Sequence, residues 1–142
     1  KRYKEMYGME PREAEKHQKF NIFFEQFIET NQFATLDKMP DADMGLEFLR
    51  KAPVPTVILS STANEARYDD ISKQKKIWLQ TNGITFNPIF VPGKKFKYQY
   101  ATPDSIIIDD TLSVIEDWRK AGGIDIWHKD WPSTLSILRQ YI

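Results

Sequence analysis

The chain has 142 residues, with 20 basic and 20 acidic side chains, so its formal net charge is zero and bulk attraction of a polyanion is excluded. Hydrophobic residues make up 41% and aromatic residues 13%, which at this length supplies a buried core without disulfides or metal staples and argues against disorder. Cysteine is absent, which removes thiolate catalysis, disulfide scaffolds and Cys-ligated zinc or iron–sulfur sites and fits a reducing compartment.

No apolar run reaches the roughly 18 residues that a spanning helix needs, and no charged-then-apolar leader pattern precedes the first elements. A cytoplasmic domain with no membrane partner and no nucleic-acid groove is the expectation.

Taken in chain order, residues 1–38 carry no strand signal. Lys1–Tyr7 reads as the interior of a helix, and Phe20, Phe23, Phe24, Phe27 and Ile28 fall on one face of another. Helical spacing of large apolar residues is what core packing alone produces, so this aromatic cluster reads as a core and not a ligand cage. A short amphipathic helix is predicted from Pro40 to Lys51, with Ala42, Leu46 and Leu49 on one side and Pro53 and Pro55 closing it.

The period then changes. Val54–Leu59 is a β-branched apolar run followed by Ser60, Ser61 and Thr62, which predicts a strand buried on both faces. Thr62-Ala63-Asn64-Glu65 has the spacing of a capping box and predicts a helix running to Asn82-Gly83. Within it, Lys73-Gln74-Lys75-Lys76 reads as a solvated face. Further strands are predicted at Phe86–Val91, Ile106–Ile108 and Ile124–His128, with helices at Thr111–Ala121, stopped by Gly122-Gly123, and at Pro132–Tyr141. Strands alternating with helices are the grammar of a parallel sheet covered by helices.

In such sheets ligands sit beyond the carboxyl ends of the strands. Ser60 and Ser61 end the first strand beside the helix start that Thr62 would cap, a corner whose free amides attract anions. The second strand is followed by Lys94, Lys95 and Lys97, any of which could return an ammonium to that end. The third ends in Asp109 and Asp110, adjacent carboxylates that need a cation or hydrogen-bond donors to sit together. Hydroxyls, an ammonium and an acidic pair at three strand ends suit a phosphoryl group and a Mg²⁺ ion.

The strings VILSS, Lys97-x-x-Tyr100-Ala101, IIIDD and the run from Trp118 to His128 resemble the haloacid dehalogenase superfamily of phosphohydrolases. More narrowly they are similar to its 5′(3′)-deoxyribonucleotidase-like branch, common in bacteria and their phages. Met39 to Leu49 and the opening K-R-Y-K-E-M-Y-G also resemble that branch, so the likeness spans most of the chain and is most specific from Met39 to His128.

The resemblance implies a Rossmann-like parallel sheet with helices on both faces over residues 39–142, and a small helical cap over residues 1–38. It implies a Mg²⁺-dependent phosphomonoesterase acting on a phosphorylated small molecule, a deoxynucleotide or nucleotide 5′- or 3′-monophosphate. Ser60 would bind a phosphoryl oxygen, with Ser61 a second phosphate donor. Lys97 would neutralise the phosphoryl group and the attacking carboxylate, with Lys94 and Lys95 as competitors for that role. Asp110 would hold the metal, with Asp109, its partner in the acidic pair, as a second metal ligand and, with Lys97, a catalytic residue.

The departure from the family lies in its first motif, a strand ending in D-x-D-G-T or D-x-D-G-V whose first aspartate is the nucleophile. Asp41 and Asp43 form a D-x-D, but Lys38-Met39-Pro40 precedes them where a strand is needed, and they read as the acidic first turn of a helix. In the family that strand lies between the strands of the second and fourth motifs. Without it two strand edges would keep unpaired backbone groups, at about 1–3 kcal/mol for each one buried. The expectation is a strand of the encoded protein ending directly before Lys1, adding roughly 10 to 15 residues.

Two alternatives use the same residues. One is a non-catalytic phosphate- or nucleotide-binding or interaction domain of the same fold. The other is a receiver-type signalling domain, disfavoured because receivers place the acidic pair first and the lysine last. His17 and His128 lack an HxH or HExxH partner, which argues against zinc. Gly93-Lys94-Lys95 lacks the second glycine and the following hydroxyl of a P-loop. Trp78, Trp118, Trp127 and Trp131 read as helix–sheet packing, with Trp127, alternating with Ile126, the most exposed.

Overall fold

A computed structural model describes Met6, residues 20–63 and residues 65–142. The expected helix at Lys1–Tyr7 therefore lies, Met6 apart, outside the described residues, as does His17. The protein is mixed α/β and divides into two compact units, the described residues up to Asp37 with Asp69–Thr85, and Lys38–Tyr68 with Phe86–Ile142.

In the first unit, helix α1 (Phe20–Glu29) buries Phe27 and Ile28 and is followed by Asn31, whose left-handed φ of 57° asparagine tolerates better than most residues. A 3-10 turn, Gln32–Ala34, brings Phe33 edge-on to Phe24 and Phe27, with ring centroids 6.2 and 5.1 Å apart, so the aromatics do pack on one another. The later part of helix α3 (Tyr68–Thr81) belongs to the same unit. There Gln74 is buried, its amide donating to the Ile28 carbonyl at 2.8 Å and accepting from the Phe33 N–H at 3.2 Å. The expected solvated face therefore holds for Lys73 and Lys76 but not for Gln74, because two backbone groups of the neighbouring segment need a partner there.

The second unit carries the strands. Helix α2 (Ala42–Lys51) buries Gly45 and Leu46, as its amphipathic spacing predicts. Strand β1 (Val57–Ser61) starts three residues later than expected, since Pro53 and Pro55 have no N–H to give to a ladder. It pairs in parallel with β2 (Asn87–Val91), Val57 opposite Asn87 and Ser61 opposite Val91. A 3-10 helix, Lys94–Tyr100, leads on to β3 (Ile106–Asp109), which pairs in parallel with β4 (Ile124–Trp127), Asp109 opposite Trp127.

Among the described residues these are two separate two-stranded sheets, not one continuous sheet. That explains why β1 is half-buried instead of covered on both faces, with Val57 52% exposed: a strand with one paired neighbour keeps an open edge.

Helix α4 (Leu112–Lys120) buries Val114, Ile115 and Trp118 against Ile107 of β3, and Leu59 of β1 joins that cluster. The chain leaves α4 through Gly122, whose φ of 93° suits glycine, and Gly123, whose missing side chain leaves room for the Trp118 indole. Helix α5 (Trp131–Leu138) is capped by Asp130, which accepts the Ser133 N–H at 2.7 Å, and it packs Leu135 and Leu138 against Ile126 of β4.

One expected helix start fails. Thr62-Ala63-Asn64-Glu65 does not open α3, which begins at Tyr68. Ala63 adopts a left-handed φ of 70°, and the buried Thr62 turns its N–H and hydroxyl onto the Val91 carbonyl, extending the β1–β2 pairing instead of capping a helix.

Candidate functional site

The isoleucine run of β3 carries Asp109 to the strand's carboxyl end. There the Lys97 ammonium, on the 3-10 helix Lys94–Tyr100, lies 2.7 Å from Asp109 Oδ2, with the two side chains only 12% and 9% exposed. The Thr111 N–H donates to Asp109 Oδ1 at 2.9 Å, so both oxygens of this carboxylate are engaged. Of the three lysines after β2, Lys97 is the one that reaches this strand end. Lys94 and Lys95 are exposed, and the Lys95 ammonium sits 5.1 Å from the Phe96 ring centre.

Asp110 behaves differently. Its carboxylate is exposed and accepts from the Thr111 hydroxyl at 3.3 Å, while its backbone carbonyl accepts the Trp127 indole N–H at 3.0 Å. A strand end therefore presents two aspartates with distinct environments, one neutralised by an ammonium and one open. An open hard carboxylate suits Mg²⁺, which retains several waters and needs only one or two protein carboxylates. No group of three or more His, Asp or Glu side chains that could hold a metal ion occurs among the described residues, so Asp110 would be one ligand among others supplied by phosphate, water or further chain.

Ser60 and Ser61 stand at the carboxyl end of β1, and the Ser61 hydroxyl accepts the Ala63 N–H at 3.0 Å. Leu59, just before them, packs on the cluster that also holds Ile107 of β3, and Ala101, just after the lysine-bearing helix, joins it. The hydroxyl-bearing strand, the segment after the lysines and the aspartate-bearing strand thus converge on one cluster. The expected helix N-terminus at this corner is absent, because α3 starts at Tyr68; any anion here would meet loop amides and not a helix dipole.

Several other polar residues have structural partners. Asp41 Oδ2 accepts the Trp131 N–H at 2.7 Å, capping α5 from α2's start, and Asp43 pairs with Lys38 at 2.6 Å, in keeping with a helix first turn and not a nucleophile pair. His128 Nδ1 lies 2.6 Å from the hydroxyl of the buried Thr134, and its ring packs on Trp131. The Arg119 guanidinium grips both oxygens of Asp125 and holds that carboxyl below its ordinary range; the Ser133 N–H does the same for Asp130. An apolar groove of about 450 Å³ lined by Met44, Phe48, Pro53, Leu135 and Arg139 contains none of the acidic pair, its lysine or the serines.

No protein-family model, curated protein or solved structure gives a match to this chain. Two residues of this site escape a reading of strand ends alone: Thr111, whose N–H reaches Asp109, and Trp127, whose indole reaches Asp110. For Trp127 the signal is the register that sets it opposite Asp109, which exists only once strands pair, whereas the Thr111 contact is the local bond that an aspartate side chain makes to the backbone two residues on.

Proposed function

We propose that the chain belongs to a Mg²⁺-dependent phosphomonoesterase of the haloacid dehalogenase type, acting on a deoxynucleotide or nucleotide monophosphate. The observation that supports this reading most is the Lys97–Asp109 ion pair, which sets a nearly buried ammonium at a strand's carboxyl end with an open carboxylate, Asp110, next in the chain.

In this reading a further strand seats between β1 and β3, joins the two parallel pairs into one Rossmann-like sheet and carries the nucleophilic aspartate. The support is that each pair has a strand edge without a neighbour among the described residues. The nucleophile's carboxylate attacks phosphorus as the bond to the leaving oxygen breaks, and water then releases phosphate from the aspartyl-phosphate. Lys97 offsets charge on the phosphoryl oxygens, Ser60 and Ser61 donate to them, and Asp109 fixes the direction of the Lys97 ammonium. Asp110 would hold Mg²⁺, which when bound offsets the negative charge of the phosphate.

A non-catalytic phosphate-binding domain of the same fold is favoured by one observation. Asp109 is committed to Lys97, and Asp41 and Asp43 to other partners, so none of these is placed as a nucleophile. Hydrolysis of p-nitrophenyl phosphate by the full-length protein separates the two. Activity abolished by EDTA and restored by Mg²⁺ is expected, whereas phosphate binding without turnover would establish the binding domain.

A further inference from the structure

The apolar groove of about 450 Å³, set apart from the strand ends, is built by two helices of the second unit. From α2, Met44, Glu47, Phe48 and Lys51 line it at the i, i+3, i+4, i+7 spacing of one helical face. Leu135, Arg139 and Ile142 line it at i, i+4 and i+7, the helical path of α5 being carried on by the Ile142 N–H, which donates to the Leu138 carbonyl at 3.2 Å. The floor is continuous with the core, because Phe48 packs on the cluster of Ile126, Leu135 and Leu138. The wall is open, with Met44 49% exposed. An apolar cleft between two helix faces is the shape that a third helix fills, seating side chains at the same spacing.

The rim carries one charge that the fold leaves unmatched. The Lys51 ammonium lies 2.7 Å from a Glu47 carboxylate oxygen, so that pair is closed. The Arg139 guanidinium lies instead 5.5 Å from the Phe48 ring centre, and no carboxylate pairs with it among the described residues. Stacking engages the face of a guanidinium and leaves its in-plane N–H groups to donate, the fork that grips a carboxylate with two hydrogen bonds. A second copy of the chain docked about a two-fold axis would bring a second Arg139 to the same face, setting like charges together. The complement of this groove is therefore apolar along its length and acidic beside Arg139.

We propose that the groove between α2 and α5 docks an amphipathic helix of a partner protein, with aliphatic side chains seated between Met44 and Ile142 and an acidic residue beside them paired with Arg139. The proposal is independent of the phosphate reading, since none of Ser60, Lys97 and Asp110 lines the groove.

The test is fluorescence anisotropy of a labelled synthetic peptide titrated with the full-length protein and its Arg139→Glu and Met44→Asp variants, with thermal unfolding of each. The peptide is longer than about 15 residues, so that it can form a helix, and carries leucines at the i, i+3, i+4, i+7 spacing with one glutamate flanking that stripe. Saturable binding by the parent is expected. It should weaken about tenfold or more in Arg139→Glu, the worth of a charge-assisted hydrogen bond, and be regained by that variant when the peptide's glutamate is replaced by lysine. Met44→Asp is expected to weaken binding of the glutamate peptide at least as much. Both side chains are exposed, so the unfolding temperatures should stay close to that of the parent. No saturable binding of the glutamate peptide, or equal binding of the two peptides by the parent and by Arg139→Glu, would overturn the proposal. So would a loss in Arg139→Glu that accompanies a large fall in unfolding temperature and is not regained with the lysine peptide. A parent that sediments as a dimer, dissociated by Met44→Asp, would make a second copy the occupant and overturn it as well.

Discussion

Lys97 and Asp109 show how differently one residue pair can be judged by stability and by chemistry. Desolvating two charges costs several kcal/mol, and their attraction with the Thr111 N–H offsets it only while both partners remain. Lys97→Met is accordingly expected to destabilise the fold by about 3 kcal/mol in urea denaturation, since it strands a nearly buried carboxylate, and adding Asp109→Leu is expected to recover much of that loss. A loss in the single variant that the second substitution deepens would show that the pair is not the unit of stability here. The family resemblance selected Lys97, but strand ends and spacing alone did not single it out. Lys94, Lys95 and Lys97 all follow the same strand, and only the 3-10 helix, which turns one of them toward β3 and leaves the others exposed, distinguishes them.

Among the elements, those bounded by strong local signals matched their sequence expectation closely. β2, β3, β4, α2 and α4 lie within a residue or two of their predicted limits, because prolines, glycines and changes of hydrophobic period act locally. The start of α3 did not, because Thr62 found a better partner in the Val91 carbonyl of the paired strand than in a helix amide. Gln74 was misjudged for a related reason: its role depends on Ile28 and Phe33, more than 40 residues away. Gln74→Leu should leave that carbonyl and N–H without their partner and cost about 2–4 kcal/mol in guanidinium denaturation; a change within experimental error would mean water replaces the side chain. Between α4 and β4, Arg119 holds Asp125 below its ordinary carboxylate range. A depressed carboxyl stabilises the fold above its unfolded-state value, and that contribution is lost as pH falls through the lowered value. Stability should thus decline as pH falls through and below the ordinary carboxylate range, about 4, and Asp125→Asn should flatten part of that decline in denaturant midpoints measured across the range.

For the molecule as a whole, composition and element order made the mixed α/β class legible, and no described helix is long and apolar enough to cross a membrane. What the sequence could not show is that the four strands among the described residues pair as two sheets of two. Pairing depends on which edges meet, and an apolar run such as Ile106–Ile108 looks the same at a sheet's centre as at its rim. The account therefore stands on the proposed chemistry of two strand ends, where Ser60 after β1 and Lys97 and Asp110 at the end of β3 would take a phosphorylated substrate and its metal. Its most direct test is inorganic phosphate released from a deoxynucleoside monophosphate by the full-length protein in Mg²⁺, compared with Asp110→Asn, a change at an exposed side chain. Steady release by the parent and a fall of more than about 100-fold in the variant is the predicted result; equal release by both, or none by the parent, would contradict it.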